Sequence, residues 1–263
     1  MSERLLDGAG ILVTRPRQQA DELVDAIEAR GGVAISFPVI AILPRNAAEV
    51  QAEVAALQEP AITIFISRNA VDHGLPYAAG KLAAIGPTTA DAIRSAGAQV
   101  DICPDSGFDS EHLLAEPAFE EVAGKTIRII RGDGGRELLA TSLKERGAQV
   151  DYVPTYARTM PEHSAADLAS LEQRWRAGEV SAVIAMSIHS LQNLNSLLPD
   201  WCRAQMILTP LVTPAARVLK EALNQYPGCP AILAAGPRSG DIVNAIAAAI
   251  ELAAARQPAP GTI

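Results

Sequence analysis

The sequence predicts an α/β protein of two Rossmann-like parallel-sheet domains, one inserted in the other and joined by a two-stranded β linker. Three observations predict it. With Arg15 set on Arg131, the opening stretch VTRPRQQADELVDAIEARGG lies ungapped on IIRGDGGRELLATSLKERGA, so that Leu23 meets Leu139, Ile27 meets Leu143, Arg30 meets Arg146 and Gly31 meets Gly147, and further on Pro38 meets Pro154. Apolar runs repeatedly enter Ser-, Gly- or Gly-Pro-containing turns that open helices, the pattern of βα units in a parallel sheet. Two extended, proline-bounded stretches, FPVIAILPR (37–45) and DYVPTYARTMP (151–161), follow the second strand of each copy and serve as the crossings between domains.

In chain order, the first apolar run ends in Thr14-Arg15-Pro16, and the helix after it carries Ala20, Leu23 and Ile27 on one face at the 3.6-residue period. Gly31 closes that helix as a left-handed C-cap, and the β-branched run VAISF reads as a strand. After the first crossing, ITIFISRNAV is a buried strand running into a serine turn, and LAAIGPTTADAI a strand running into Gly-Pro at a helix start. Proline's missing N–H costs nothing there, and Thr88 or Thr89 is available to cap the open donors. The run IIRGDGGRELL (129–139) then opens a helix with Leu138, Leu139 and Leu143 inward, stopped by Gly147 before the strand QVDYV. Beyond the second crossing, AVIAMSIHSL echoes ITIFISRNAV and ILAAGPRSGDIV echoes LAAIGPTTADAI, with Ser239 as the capping hydroxyl; the tail after Glu251 is expected to fray. The expected domains are 1–38 with 159–263 and an inserted 44–155, with linkers 39–43 and 156–158.

Composition narrows the function. A chain of 263 residues that is 49% hydrophobic and 20% charged supports two cores. Cys103, Cys202 and Cys229 form no C-x-x-C pair, and His73, His112, His163 and His189 show no ligand spacing, so no metal site is expected. The net charge of −8 argues against nucleic acid. With no leader-like or membrane-length apolar stretch, a soluble cytoplasmic monomer is the expectation. IIRGDGGRELL is built like an anion-gripping turn, yet both G-x-x-x-x-G-K-[ST] and G-x-G-x-x-G are broken in it. Which anion it takes is left open by the residues, with a nucleotide-dependent enzyme the weaker option, and turns at the carboxyl ends of the strands are where it would be held.

In order and spacing these segments resemble the uroporphyrinogen-III synthase family over nearly the whole chain. The resemblance rests on Thr14-Arg15-Pro16, FISRNAV, AIGPTTA, RGDGGREL, LKERGAQV, Tyr156 with Arg158, SIHSLQNL, and Pro214 with Arg217. Ile66 and Met186 depart from it, standing where the family commonly has threonine. The resemblance implies a cofactor-free cyclisation of hydroxymethylbilane, a linear tetrapyrrole bearing acetate and propionate carboxylates, with ring D inverted and water lost. It names the anion as carboxylate. It also implies a transient contact with hydroxymethylbilane synthase, no nucleic acid and no membrane.

Carried over by motif, the substrate contacts are Arg15, Ser67, Asn69, Gly86, Thr88, Thr89, Arg131, Gly132, Gly135, Arg136, Ser187, Ser190 and Arg217, and the proton donor is Tyr156. For each arginine the alternative is that it pairs a carboxylate of its own domain; for Tyr156 it is that the ring packs the linker. The competing functional class is a two-lobed small-molecule-binding or sensor protein.

Overall fold

A computed structural model describes residues 5–134 and 137–256; Gly135 and Arg136 lie outside the described residues. The chain forms two compact units, Met1–Ala41 with Met160–Ile263, and Ile42–Thr159. It begins with β1 (Gly10–Val13), α1 (Asp21–Ala29) and β2 (Val33–Ser36). Next come β3 (Ala41–Pro44), α2 (Ala47–Ala55), β4 (Ile62–Phe65), α3 (Arg68–Gly74), β5 (Lys81–Ala84), α4 (Pro87–Ser95), α5 (Ser110–Leu114), β6 (Thr126–Gly132), α6 (Leu138–Glu145) and β7 (Gln149–Thr159). It ends with α7 (Ala165–Arg176), β8 (Ala182–Ile184), α8 (Ile188–Leu197), α9 (Asp200–Gln205), β9 (Leu211–Thr213), α10 (Ala216–Gln225), β10 (Ala231–Leu233) and α11 (Ser239–Arg256).

One sheet has the order β10-β9-β8-β1-β2 and the other β3-β7-β6-β4-β5. Parallel pairing runs from β2 across β1, β8 and β9 to β10, and from β7 across β6 and β4 to β5. The internal repeat therefore takes corresponding places in the two sheets, with β1-α1-β2 matching β6-α6-β7, although β2 is an edge strand and β7 is flanked by β3. Strand alternation splits the first core in two. Ile11 and Val13 pack with α1 and α11 on one face, whereas Leu12 and Val183 pack with residues of α7 to α10 on the other. In the second unit Ile62, Ile64, Ile127 and Ile129 meet Leu139 and Leu143 of α6.

Gly31 and Gly147 both take positive φ, 80° and 83°, and end α1 and α6 as the sequence predicts. Three sequence expectations are corrected. Leu138 is 38% exposed while Leu139 and Leu143 are buried, because α6 begins at Leu138 and its first turn projects outward. The segment ILAAGPRSGDIV is not the counterpart of LAAIGPTTADAI: β10 lies at a sheet edge beyond β9, whereas β5 neighbours β4, so the topological partner of β5 is the three-residue β9. Past Glu251 the chain stays helical through Arg256, where the described residues end.

Candidate active site

In each sheet the two central strands send their helices to opposite sides. That divergence opens a crevice at their carboxyl ends, where open α/β sheets bind ligands. In the unit Ile42–Thr159 this point lies between β4 and β6, and a cavity of about 370 Å³ occupies it. Its wall comes from the residues that end the strands: Ile66 after β4, Ile85 after β5, Arg131 to Gly134 at the end of β6, and Tyr152, Tyr156 and Arg158 along β7. The loop Phe108–Ser110 completes it.

Tyr156 is fully buried. Its hydroxyl shares a 3.0 Å hydrogen bond with Ser67 Oγ, which also accepts from the Ala70 N–H as the N-cap of α3. The ring is tilted against His73 at 5.7 Å, and the Arg158 guanidinium stands 5.9 Å from its centre. Space for the ring comes from Gly132, where a Cβ would meet Tyr156 Cε2 at 2.6 Å. Gly132 is thus required for close approach rather than for a left-handed backbone. Gly86 clears Phe108 in the same manner, since a Cβ there would meet Phe108 Cβ at 2.8 Å.

Arg131 is 4% exposed. Its guanidinium lies 4.5 Å over the Tyr152 ring, its Nε donates to the Gly134 carbonyl at 3.0 Å, and its Nη1 donates to Glu137 Oε1 at 3.2 Å. Tyr152 donates to the other oxygen of the same carboxylate at 2.7 Å. Buried Nη2 finds no partner among the described residues, a donor whose desolvation costs about 1–3 kcal/mol if left so. The Tyr152 hydrogen bond, then Arg131, hold Glu137 below the usual carboxylate range. Burial, then Glu137, push the Tyr152 phenol from the ordinary 10 to about 12. Both partners therefore stay in their present charge states at neutral pH.

The other residues carried over by motif fall in several places. Asn69 is buried in α3, Thr89 is buried in α4 and Thr88 is exposed. Neither threonine caps α4, because Gly86 holds the N-cap position and no side-chain cap bond forms. Nor is Ser239 seen as a capping acceptor: its hydroxyl donates to Glu22 at 3.1 Å.

In the unit Met1–Ala41 with Met160–Ile263, Arg15 follows β1 and Met186 follows β8, at the same divergence of central strands. Arg15 Nη2 reaches Met186 Sδ at 3.9 Å, and burial lowers the guanidinium from its ordinary value while Glu22 pulls it up. Thr14 is tied to the Ile184 carbonyl at 2.6 Å. Ser187 and Ser190 bind each other's backbone N–H in a capping box at the start of α8, so both hydroxyls are already engaged. Arg217 is exposed in the first turn of α10.

Sequence reasoning missed Phe108, Glu137, Tyr152 and Arg158. Period-two alternation from Tyr156 leads to Arg158, so one of the four was within reach. Tyr152 lies beyond a register shift in the pairing of β7 with Arg131 and Gly132, across which alternation fails. Glu137 and Phe108 sit on turns whose paths no periodicity describes.

Comparison with known proteins agrees with this architecture. The family model described as "HEM4: Uroporphyrinogen-III synthase HemD" matches residues 21–244. The uroporphyrinogen-III synthase of Escherichia coli K12 is 36% identical over 209 residues, covering 75% of this chain and 83% of that protein. Its Salmonella typhimurium counterpart is 34% identical over 217 residues, with the same coverages of 75% and 83%. Among solved structures, a mutant uroporphyrinogen III synthase of Thermus thermophilus aligns with a TM-score of 0.57 at 19% identity, over 93% of this chain and 100% of that one. The Helicobacter pylori 26695 enzyme aligns at 0.57 and 13%, over 95% and 100%. At those identities the structures speak for the shared fold alone, but the family match extends from the start of α1 into α11, and with it the chain belongs to the uroporphyrinogen-III synthase family.

Proposed function

We propose that this protein is a uroporphyrinogen-III synthase, a cyclising hydro-lyase. It closes hydroxymethylbilane with loss of water and inversion of ring D. Beyond family membership, the observation that carries this reading is the cavity at the β4–β6 crevice, which brings a buried guanidinium and a buried phenol to one wall. A linear tetrapyrrole with acetate and propionate arms needs cationic and N–H donors spread over its binding surface, and it needs one acid for the departing hydroxyl. Arg131 fits the first role. Tyr156, hydrogen-bonded to Ser67, fits the second.

In this mechanism Tyr156 gives its proton to the hydroxyl of the hydroxymethyl group as the C–O bond breaks and water leaves, pushed by the pyrrole nitrogen lone pair. The azafulvene so formed is attacked by the substituted carbon of ring D. The spiro intermediate reopens and recloses with ring D inverted, and loss of a ring proton restores the aromatic pyrrole. Ser67 orients the phenol, and the ring proton released in the last step returns to the Tyr156 phenolate, which restores the acid for the next turnover. Arg15, Gly86, Thr89 and Ser187 belong to this reading as further substrate contacts, through side chains or through N–H groups at helix starts. Thr88, Asn69, Ser190 and Arg217 belong to it on motif alone, as do Gly135 and Arg136. Arg158, exposed on the cavity wall, adds a second cation.

The same reading takes the enzyme as a cytoplasmic monomer with no cofactor. It receives its substrate in transient contact with hydroxymethylbilane synthase, a handover favoured because the free linear tetrapyrrole closes unaided to the type I isomer. The family match leaves the two-lobed sensor without support. The deciding experiment couples this protein to purified hydroxymethylbilane synthase and separates the product isomers. Type III product in metal-free buffer is the expected result, and persistent type I product refutes the reading.

A further inference from the structure

Glu137 is a carboxylate of the protein's own, set where the proposed function puts a carboxylate of the substrate. We propose that it is a built-in placeholder. It fills the Arg131–Tyr152 clamp until an acetate or propionate arm takes its place, and the exchange makes the clamp selective for carboxylates. This inference rests on the proposed substrate class.

The two halves of the clamp are held very differently. The Arg131 side chain is 5% exposed, whereas that of Glu137 is 64% exposed. Arg131 is fixed by burial, by the Gly134 carbonyl on Nε and by the face of Tyr152. Among the described residues, the Glu137 carboxylate is held in the clamp by the hydrogen bonds from Arg131 and Tyr152 alone. On leaving, Glu137 rotates into water and recovers its hydration, so its departure is cheap, as for other exposed ion pairs. Arg131 cannot follow it. A buried guanidinium without a counter-charge is strongly disfavoured, and the vacated place is therefore specific for another carboxylate.

The incoming group also has something that Glu137 does not use. Nη2 of Arg131 is buried and makes no hydrogen bond among the described residues, while Glu137 engages Nη1. Nη2 is closed off while Glu137 is in place; once Glu137 swings out, an incoming carboxylate can take Nη1 and Nη2 together in the bidentate geometry that guanidinium favours. Asp109 and Asp133 also line this cavity. An anion entering beside them is repelled unless Arg131 and Arg158 offset their charge, which restricts tight binding to ligands that reach the clamp itself. Tyr152 contributes a neutral donor throughout, and it serves either carboxylate equally.

The test separates this inference from the proposed function. Isomer analysis of the wild-type product judges the function alone. The exchange is read without turnover, by titrating wild-type protein labelled with carbon-13 and nitrogen-15 with uroporphyrin I, which carries the acetate and propionate arms but is not the expected product. The Arg131 Nε–Hε and Glu137 carboxyl resonances should move together and saturate together. A Glu137 carboxyl that stays unmoved while uroporphyrin I binds overturns the proposal. In kinetics, Glu137→Gln should lower KM for hydroxymethylbilane about two- to fivefold, the scale of an exposed ion pair, with the change falling on KM rather than kcat. Arg131→Lys in the Glu137→Gln background should raise KM about tenfold or more by losing the bidentate fork. A KM that is unchanged or raised in folded Glu137→Gln would show Glu137 to be a positioning residue for Arg131, and would overturn the exchange.

Discussion

Replacing Gly132 by alanine probes how Tyr156 is held. A Cβ at Gly132 would stand 2.6 Å from Cε2 and 2.8 Å from Cζ of Tyr156, where carbon atoms ordinarily rest about 3.5–4.0 Å apart. Retreat is resisted because the ring is buried beside His73 and its hydroxyl is tied to Ser67, so moving into the neighbouring cavity breaks that bond. Gly132 is not among the positive-φ glycines, so alanine suffers no backbone strain, and restricting the unfolded chain favours it by about 0.4–1 kcal/mol. Overpacking opposes this by about 1–3 kcal/mol, leaving a net loss of roughly 0.5–2 kcal/mol. Equilibrium urea unfolding measures it, in a double-mutant cycle with Tyr156→Leu, whose side chain ends short of the clashing atoms. The coupling should reach about 0.5–3 kcal/mol. Gly240→Ala is the control, since a Cβ at Gly240 meets nothing within 4 Å and φ is not positive there; it should stabilise by about 0.4–1 kcal/mol. If Gly132→Ala is as stable as wild type and the two changes are additive, the close approach does not constrain the ring and the argument fails.

Tyr156→Phe keeps the ring and deletes the proton. Turnover should fall by about 10²-fold, the low end for a lost general acid because the pyrrole nitrogen already expels the hydroxyl, while the product remains type III. Wild-type turnover at an unchanged melting temperature would remove Tyr156 from that role. Ser67→Ala deletes both the N-cap of α3 and the partner of Tyr156. It should cost about 1 kcal/mol in chemical denaturation and slow turnover less than Tyr156→Phe does. The Tyr152 phenol is raised to about 12 in the fold, above its unfolded value near 10. Its contribution to stability is therefore complete below about pH 10 and is lost as pH rises toward 12. The tyrosinate band at 295 nm, as a difference between wild type and Tyr152→Phe, should place this titration late, and Glu137→Gln should return it only part of the way because burial remains the larger cause. Titration near 10 in the folded protein would contradict the clamp.

What the sequence made legible followed from repetition and period. Arg15 on Arg131 carried one βαβ unit of each sheet, because β1-α1-β2 and β6-α6-β7 each need an apolar stripe, a stopping glycine and a β-branched strand at fixed spacing. The second pair of echoes went astray where the signal was short. β9 has three residues, Leu211–Thr213, too few to show alternation, while the Gly-Pro of the β10 turn imitated that of β5 and drew the match to the sheet edge. In the site, Tyr156 and Arg131 were marked by motif, whereas Tyr152 was hidden by the register shift that separates it from Tyr156 along β7. The Glu137 contact comes three residues after the bend at Gly134, whose φ is 68° and whose carbonyl accepts from Arg131 Nε. No local pattern encodes which carboxylate such a turn delivers.

The repeat also shows why its two arginines must act differently. Arg131 has Glu137 and the Tyr152 phenol on it, and positions equivalent to these two in the first copy are Asp21 and Ser36. Serine offers no ring face for a guanidinium and no phenol to share a carboxylate. The neighbouring acid, Glu22, accepts a hydrogen bond from Ser239 and acts on Arg15 through its charge. Arg15 is left half-buried against a thioether, a weak acceptor that holds it by contact more than by charge. On the proposed reading, a carboxylate meeting Arg15 displaces no ion partner among the described residues, whereas one meeting Arg131 has to displace Glu137. The first encounter is limited by desolvation and the second by exchange. Two copies of one βαβ unit have thereby diverged into a readily available cation and a guarded one, and the divergence lies in the residues around each arginine rather than in the arginines themselves.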